Sequence, residues 1–343
     1  NNCLYGDTWE WAEGQWHKVW PLTDDQPPLP LAHHAMAWDP GTGQMLIHGG
    51  RSGQLTPIRA DEDGPDRLAD DGSKWTFWNL VEGGTYQGAI WAWDGDHWAW
   101  VDGSGGTLPT DSILVPTFRA FHVMVIPQPG MVMIHGGHLL EQNFFSVTLN
   151  LEPTAWFFDL DPADWFPEDC GVGTCDDFTR WGHSAVTLKP PGPTLTGENV
   201  AVVLGGSEDL ASTSDVEDDF SWKLKVADEA SWSADALLAD AGINGRHLGA
   251  VAYDHHRGSL LVLGAVGDPD TETDWQVSLT TEAGNPVLGE ARALAEARPA
   301  PPSRSGAAST WDPVREVVWV FGGLQRLAGV GAPLGDLWTW DGQ

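Results

Sequence analysis

The feature that most constrains this chain is a motif that recurs five times: a short apolar strand, a turn, a second apolar strand and a pair of glycines. It runs from His34 to Asp39, turns through Pro40-Gly41-Thr42-Gly43 and continues from Met45 to Gly49-Gly50. It returns as His122 to Val125 with Met131 to Gly136-Gly137, and as His183 to Val186 with Val200 to Gly205-Gly206. The fourth copy joins Gly249–Asp254 to Ser259–Gly264, where Ala265 replaces the second glycine, and the fifth joins Ala307–Asp312 to Val317–Gly322-Gly323. Runs of apolar and small residues this short suit strands buried on both faces. Glycine is needed where a backbone takes positive φ or approaches another closely.

A second motif follows each glycine pair: an aromatic strand, a tight turn and often a further tryptophan. Trp91-Ala92-Trp93-Asp94-Gly95 leads to Trp98, Trp156-Phe157-Phe158-Asp159 to Trp165, and Trp222 to Trp232. Trp275 opens a weaker copy, Trp338 to Gly342 ends the chain, and Trp9-Glu10-Trp11 leading to Trp16 opens it. A double glycine, an aromatic residue and a spaced tryptophan together resemble the kelch repeat, over nearly the whole chain. The resemblance implies an all-β fold, a β-propeller of four-stranded blades. A single blade cannot bury its own faces, so the repeats must stack, with tryptophans supplying apolar area between them.

We denote as A the strand ending in the glycine pair, read as the inner one, as B the aromatic strand, as C the strand after the tight turn and as D the strand opening at His34 and its equivalents. Five A strands predict five blades in a single domain over residues 1–343. The last A and B strands then take C and D from the N-terminal segment around Trp16 and His34, closing the ring with both chain ends. The alternative is a truncated six-bladed parent that lost its first A strand and its last C and D strands.

Because strands alternate in direction, the D–A and B–C turns share one end and are mostly tight. The A–B and C–D connections share the other, and the long segments gather there: 51–88, 138–153, 166–180, 207–219 and 288–303. Loops on a rigid scaffold are the usual seat of binding, so this face is the expected working face. It also collects acid. Asp61, Asp63 and Asp66 in one insertion, and Asp215, Asp218 and Asp219 in another, supply the oxygens that Ca²⁺ takes from flexible loops. None fits the twelve-residue calcium loop, since Gly64 follows Asp61 too early, and a solvated acidic rim is the competing reading.

Four arginines, Arg119, Arg180, Arg246 and Arg304, stand three residues before the His34-equivalent position, where the first copy has Leu31. A recurring arginine braces a blade through carbonyls and carboxylates. The resemblance adds a second reading, in which arginines near a channel mouth grip anionic groups. Trp75, Phe77 and Trp78 in the 51–88 insertion are candidate contact anchors. His48 and His135 occupy a slot filled elsewhere by Leu204, Leu263 and Phe321, which favours packing over chemistry. His34, His122 and His183 share another slot, held elsewhere by Gly249 and Ala307.

A net charge of −32 argues against nucleic acid or an anionic membrane as partner. No apolar run approaches the roughly 18 residues that span a bilayer. Of the three cysteines, Cys170 and Cys175 flank Gly171-Val172-Gly173-Thr174 and are placed to close a small disulfide ring, pointing to an oxidising compartment and leaving Cys3 odd. The chain shows no signal peptide and starts abruptly, so a mature or trimmed product is expected. There is no His-Glu-x-x-His, Gly-x-Ser-x-Gly or phosphate loop. Kelch-like propellers serve mostly as recognition scaffolds, although the family includes copper oxidases and a sugar mutarotase. The copper enzymes draw on tyrosine–cysteine crosslinks, and only Tyr5, Tyr86 and Tyr253 are present here. The expectation is therefore a non-enzymatic secreted, periplasmic or cell-surface module that binds a protein or glycan through the loop-rich face, with no firm cofactor beyond the calcium candidates. The alternative is a mutarotase- or lyase-like sugar enzyme with Arg, His and carboxylate groups at the channel mouth.

Overall fold

The turns after the first, fourth and fifth D strands decide which strands pair there. Asp39 Oδ1 accepts from Gly41 N at 2.9 Å, while Oδ2 accepts from Thr42 N at 3.1 Å and Thr42 Oγ1 at 2.8 Å. Asp254 accepts from the amides of His256 and Arg257, and Asp312 from those of Val314 and Arg315. Such side-chain-to-backbone bonds fix a tight reversal, and the chain returns as an antiparallel hairpin.

In the computed structural model the described residues are 5–19, 28, 30–52, 56–57, 78–79, 85–102, 116, 118–142, 147–151, 155–161, 163–167, 180–188, 199–207, 221–226, 231–234, 249–264, 274–282, 285–294, 301–302, 304–327 and 330–342. Among them every regular element is a strand and every ladder is antiparallel; there is no helix, hence none long and apolar enough to cross a membrane. The chain divides into two compact units, residues 1–66 with 76–179, and residues 67–75 with 180–343.

The first unit holds two four-stranded sheets. In the first, the order is Ala35–Asp39, Gln44–His48, Ile90–Trp93, Trp98–Asp102; in the second it is Val123–Gln128, Met131–His135, Ala155–Leu160, Ala163–Pro167. The second unit repeats the D-A-B-C order twice. Its third sheet runs Ser184–Leu188, Asn199–Leu204, Ser221–Val226, Ser231–Ala234, and its fourth Ala250–Asp254, Ser259–Leu263, Trp275–Glu282, Asn285–Ala293. The fifth sheet contains D, A and B: Ala308–Asp312, Val317–Phe321 and Leu337–Trp340.

This order corrects the strand roles read from sequence. D bonds to the A strand that follows it, so A lies second in the sheet with D at the edge. Ala35–Asp39 pairs with Gln44–His48 and is not a strand for the last sheet, and Gln15–Val19 around Trp16 pairs with Thr8–Ala12. The expected closure, with both N-terminal strands completing the fifth sheet, is thus not among the described pairings. A four-residue turn costs little loop-closure entropy, and the local hairpin wins over the distant partner.

Sheets of one unit stack face to face. Leu46, Ile90, Val132, Ile134 and Phe158, all with essentially no exposed surface, anchor the core between the first two sheets, with Trp156 and Trp165 filling the remainder. In the second unit Leu188, Val202, Tyr253, Leu260 and Val277 pack the third sheet on the fourth. Val318, Val320, Ala252 and Leu261 pack the fourth on the fifth. Each large side chain so buried contributes about 1.5–3 kcal/mol. Indole nitrogens tie neighbours together: Trp165 Nε1 donates to Asp102 at 2.7 Å, and Trp98 Nε1 to Thr8 of the N-terminal hairpin at 2.9 Å. Asp39 Oδ1 also accepts from Gly130 N in the turn of the second sheet, at 3.1 Å.

At the other end of each sheet the glycine pair bends the A strand away. The two glycines have φ of 66° and 93° in the first copy, 66° and 92° in the second, 66° and 87° in the third, and 68° and 92° in the fifth. The chain then runs into ribbons of its own: Arg51–Ser52 with Thr85–Tyr86, Thr56–Pro57 with Trp78–Asn79, His138–Gln142 with Val147–Leu151, and Leu324–Leu327 with Val330–Pro333.

A Cβ at Gly137 would lie 2.6 Å from the Ala120 carbonyl oxygen and 2.8 Å from His122 N, on top of the strain of φ +92°. Gly95 has φ +107° and open space around it. Gly137→Ala is therefore expected to destabilise by about 3 kcal/mol or more and Gly95→Ala by about 1–2 kcal/mol. Urea unfolding of the two variants side by side checks the difference.

Candidate functional site

The bend at the glycine pair creates three backbone positions that recur from repeat to repeat. The residue after the pair bridges to the residue two before the D-strand slot: Arg51 with Ala32, Ser207 with Trp181 and Leu324 with Ser305, each through two amide–carbonyl bonds of 2.8–3.0 Å. His138 pairs with Ala120 in the same way. The residue immediately before the slot takes left-handed φ in each described copy: Gly182 at 63°, Gly306 at 65°, His33 at 59° and Phe121 at 60°. Three residues before the slot stand the recurring arginines.

Those arginines point inward. Arg119, Arg180 and Arg304 are buried, and each donates Nη1 to the carbonyl of the first glycine of its own repeat, Gly136 at 3.3 Å, Gly205 at 2.9 Å and Gly322 at 2.9 Å. Arg304 is further held by Asp336, with Nη1 on Oδ1 at 2.7 Å and Nη2 on Oδ2 at 2.9 Å, and its Nε donates to the Pro302 carbonyl. This pairing, helped by the Trp338 indole at 2.6 Å, holds the Asp336 carboxyl well below the usual range. The side chains brace the bend that the glycines make.

Arg246, Trp75, Asp61, Asp63, Asp66, Asp215, Asp218, Asp219, Cys170 and Cys175 lie outside the described residues. Trp78 lies in the short strand paired with Thr56–Pro57. Among the described residues no group of three or more His, Cys, Asp or Glu is arranged to hold a metal ion.

The histidine slots of neighbouring repeats meet in the first unit. His48 Nδ1 and His122 Nε2 are 2.9 Å apart in a hydrogen bond, both buried. Burial, followed by the charge of Arg119, pushes His48 down to about 3, partly opposed by the Gly88 backbone. With the His48 ring held neutral, the bond is a crosslink between two sheets.

A different set of side chains gathers where the bends of the first two repeats adjoin. Phe121 N donates to the His33 carbonyl at 3.1 Å, and the two rings stack with centroids 3.8 Å apart at 20°. Phe121 also meets His138 at 5.0 Å. His33 keeps an exposed side, yet lies in crowded surroundings: lost hydration, then the charges of Arg51 and His34, holds it down to about 4. Arg51, whose charge His33 feels, is buried with its Nε and Nη2 sealed from water, and its charge also interacts with the buried Tyr86 hydroxyl. Burial lowers the guanidinium's pKa and raises that of the phenol, each opposed by the other group. Gln87 Nε2 donates to Ser52 Oγ at 3.0 Å.

Arg51, His33 and Phe121 were not among the residues singled out from sequence. The signal was nonetheless present: the repeats read Gly182-His183 and Gly306-Ala307 where the first two read His33-His34 and Phe121-His122. A bulky residue in left-handed conformation costs about 1–2 kcal/mol relative to glycine. Two such residues stacked together mark a place where the side chains are retained despite that cost.

No protein-family model matches the chain, and no curated protein matches it. Among solved structures it is similar to a chain in the cryo-EM structure of RAG in complex with one melted RSS and one unmelted RSS. The identity is 10%, the TM-score 0.53, and the match covers 92% of this chain and 82% of that one. At this identity the similarity is one of fold.

Two outcomes are expected from the buried groups. Arg304→Ala, which strands the Gly322 carbonyl and Asp336, is expected to destabilise by about 3 kcal/mol, measured by urea unfolding. The His48 imidazole is held below its unfolded value of 6.5, so the unfolded chain binds the extra proton. Its stability contribution is complete above pH 6.5 and is lost as pH falls toward about 3, by up to roughly 1.4 kcal/mol per unit. His48→Leu, the residue other repeats carry in this slot, should flatten the slope of stability between pH 6.5 and 4. It should leave the separate loss below pH 4, where Asp312, held near 2 against the opposing push of burial by bonds from Arg315, Trp319 and Val314, titrates.

Proposed function

We propose that this chain is a kelch-type β-propeller, its five D-A-B(-C) sheets the blades, that acts as a non-enzymatic recognition scaffold and binds a protein or glycan through the face bearing the A–B and C–D connections. The N-terminal hairpin then occupies the place of a neighbouring blade, since Trp98 reaches back to it as Trp165 reaches back to the first sheet. The observation that carries the binding reading is the stacked pair His33–Phe121. Both take a left-handed backbone where other repeats use glycine, and both stand at the end where the A–B connections leave the sheets. Backbone strain of this kind clusters at ligand clamps and active sites. An aromatic platform backed by a buried cation and amide groups is a recognition surface for a polar ligand with flat apolar faces. An extracellular or envelope location fits the acidic surface and the Cys170–Cys175 spacing.

The test is a glycan array and pull-down with the intact chain, comparing wild type with the double variant His33→Gly/Phe121→Gly. Glycine relieves the strain while the stacking contact is lost, so the variant should remain within about 1 kcal/mol of wild-type stability. Its binding should fall by roughly tenfold or more, as expected for loss of a central aromatic anchor. Val314→Ser, in the exposed D–A turn of the fifth sheet, should bind as wild type does. Undiminished binding by the double variant, or turnover of a bound glycan, would overturn the reading.

A further inference from the structure

The N-terminal hairpin, Thr8–Ala12 with Gln15–Val19, lies on the face of the first sheet that is turned away from the second. Trp38, Met45, Trp93 and Trp98 stand opposite one another along the ladders and so share that face. The hairpin reaches the B and C strands: Trp93 Nε1 donates to Glu10 Oε1 at 3.0 Å, and Trp98 Nε1 to Thr8 Oγ1 at 2.9 Å. It stops short of the D strand, where Met36 is 54% and Trp38 53% exposed. The same two positions are closed in later repeats. Met124 and Ile126 are 6% and 8% exposed in the second sheet, and Val251 and Tyr253 8% and 2% in the fourth. Each of those pairs packs with the D and A strands of the preceding sheet, with Ala35 and Leu46 in the first case and with Leu188 and Val202 in the second.

The hairpin itself is half of the recurring unit. Trp9-Glu10-Trp11 and Trp16 are spaced as Trp91-Ala92-Trp93 and Trp98, so Thr8–Ala12 is a B strand and Gln15–Val19 its C strand. In every four-stranded sheet the B strand also bonds to an A strand. Among the described residues Thr8–Ala12 has no second strand beside it, and Trp9 to Ala12 are exposed. A bare strand edge next to an open apolar floor is a template for strand addition: main-chain groups of the edge bond the incoming strand, and the floor takes its apolar side. We infer that this slot, edged by Thr8–Ala12 and floored by Met36 and Trp38, binds a β-hairpin of a partner polypeptide, with small residues on one strand and leucine or valine on the other. The covering faces within this chain define that chemistry. Ala250 and Ala252 beside Leu261 and Leu263 cover the fifth sheet, as Ala35 and Ala37 beside Leu46 cover the second. A second copy has no such hairpin to lend, since each of its five described D–A hairpins is bonded into its own sheet.

The probe is a synthetic peptide with the sequence of residues 249–264, compared with the same peptide carrying Ala252→Glu and Leu261→Glu on its covering side. Binding to the intact chain is measured by calorimetry. Hydrogen exchange reports the Thr8–Ala12 amides that the ladder to Gln15–Val19 leaves unbonded. The first peptide should bind and slow exchange at those amides, and the second should bind at least roughly tenfold more weakly. In the chain, Met36→Ser/Trp38→Ser should weaken binding by roughly tenfold or more. Without peptide this double variant should melt within a few degrees of wild type, because both side chains are exposed. Absence of binding at about 1 mM peptide, equal binding of the two peptides, or binding that survives the double variant would each overturn the inference. So would a double variant that melts well below wild type, or slow exchange of the edge amides in the free monomer, since either shows the slot already filled by the chain itself. Slowing that grows with protein concentration in the absence of peptide would also overturn it, by making a second copy the occupant.

Discussion

The close backbone approach at the second glycine of each pair is the constraint on which the rest depends. A Cβ there would sit 2.6–2.9 Å from a carbonyl oxygen two residues before the D strand, at Ala32, Ala120, Trp181 and Ser305 alike. Only without a side chain can the A strand turn out of its sheet and form the two amide–carbonyl bonds that fix the next residue. That bond pair sets the orientation of Arg51, His138, Ser207 and Leu324, and the left-handed residue beside it sets His33 and Phe121. The same bend exposes the first glycine's carbonyl inside the protein, which the recurring arginine satisfies. Glycine pair, arginine and bridge form one device, repeated.

Much of the fold was legible because the repeat is local. The glycine pairs, the Asp-led turns and the C-strand tryptophans all lie within short windows, and the hairpins they predict are the ones that form. The partner of D was misread because either neighbour of A satisfies the alternation of buried residues; only the turn length distinguishes them, and a four-residue link with an aspartate cap decides it. The candidate site was less legible for a physical reason. Attention to recurrence leads to Arg119, Arg180 and Arg304, which recur because each satisfies the carbonyl of the first glycine in its own repeat. The residues from which a site is proposed are those that break recurrence: His33 and Phe121, where glycine is the comfortable choice.

Two economies are at work in the first unit. His48 and His122 are buried polar groups made tolerable by their mutual bond, and they stiffen the junction of two sheets at the expense of acid stability. His33 and Phe121 hold a left-handed backbone that costs each about 1–2 kcal/mol relative to glycine. The first kind of group explains a fold; the second is the observation from which recognition is proposed.

The central claim is that the glycine-pair bends hold the end of the first two sheets rigid, so that the stacked rings of His33 and Phe121 are fixed by the chain itself. Native-state hydrogen exchange of the ligand-free chain tests it most directly. The amides of Ala32, Gly50, Arg51 and Phe121, each bonded to a carbonyl across the bend, should exchange as slowly as those of the Met131–His135 strand, by global rather than local opening. Exchange of these four amides orders of magnitude faster than that strand would show that the end of the sheets opens on its own, and would contradict a preformed site.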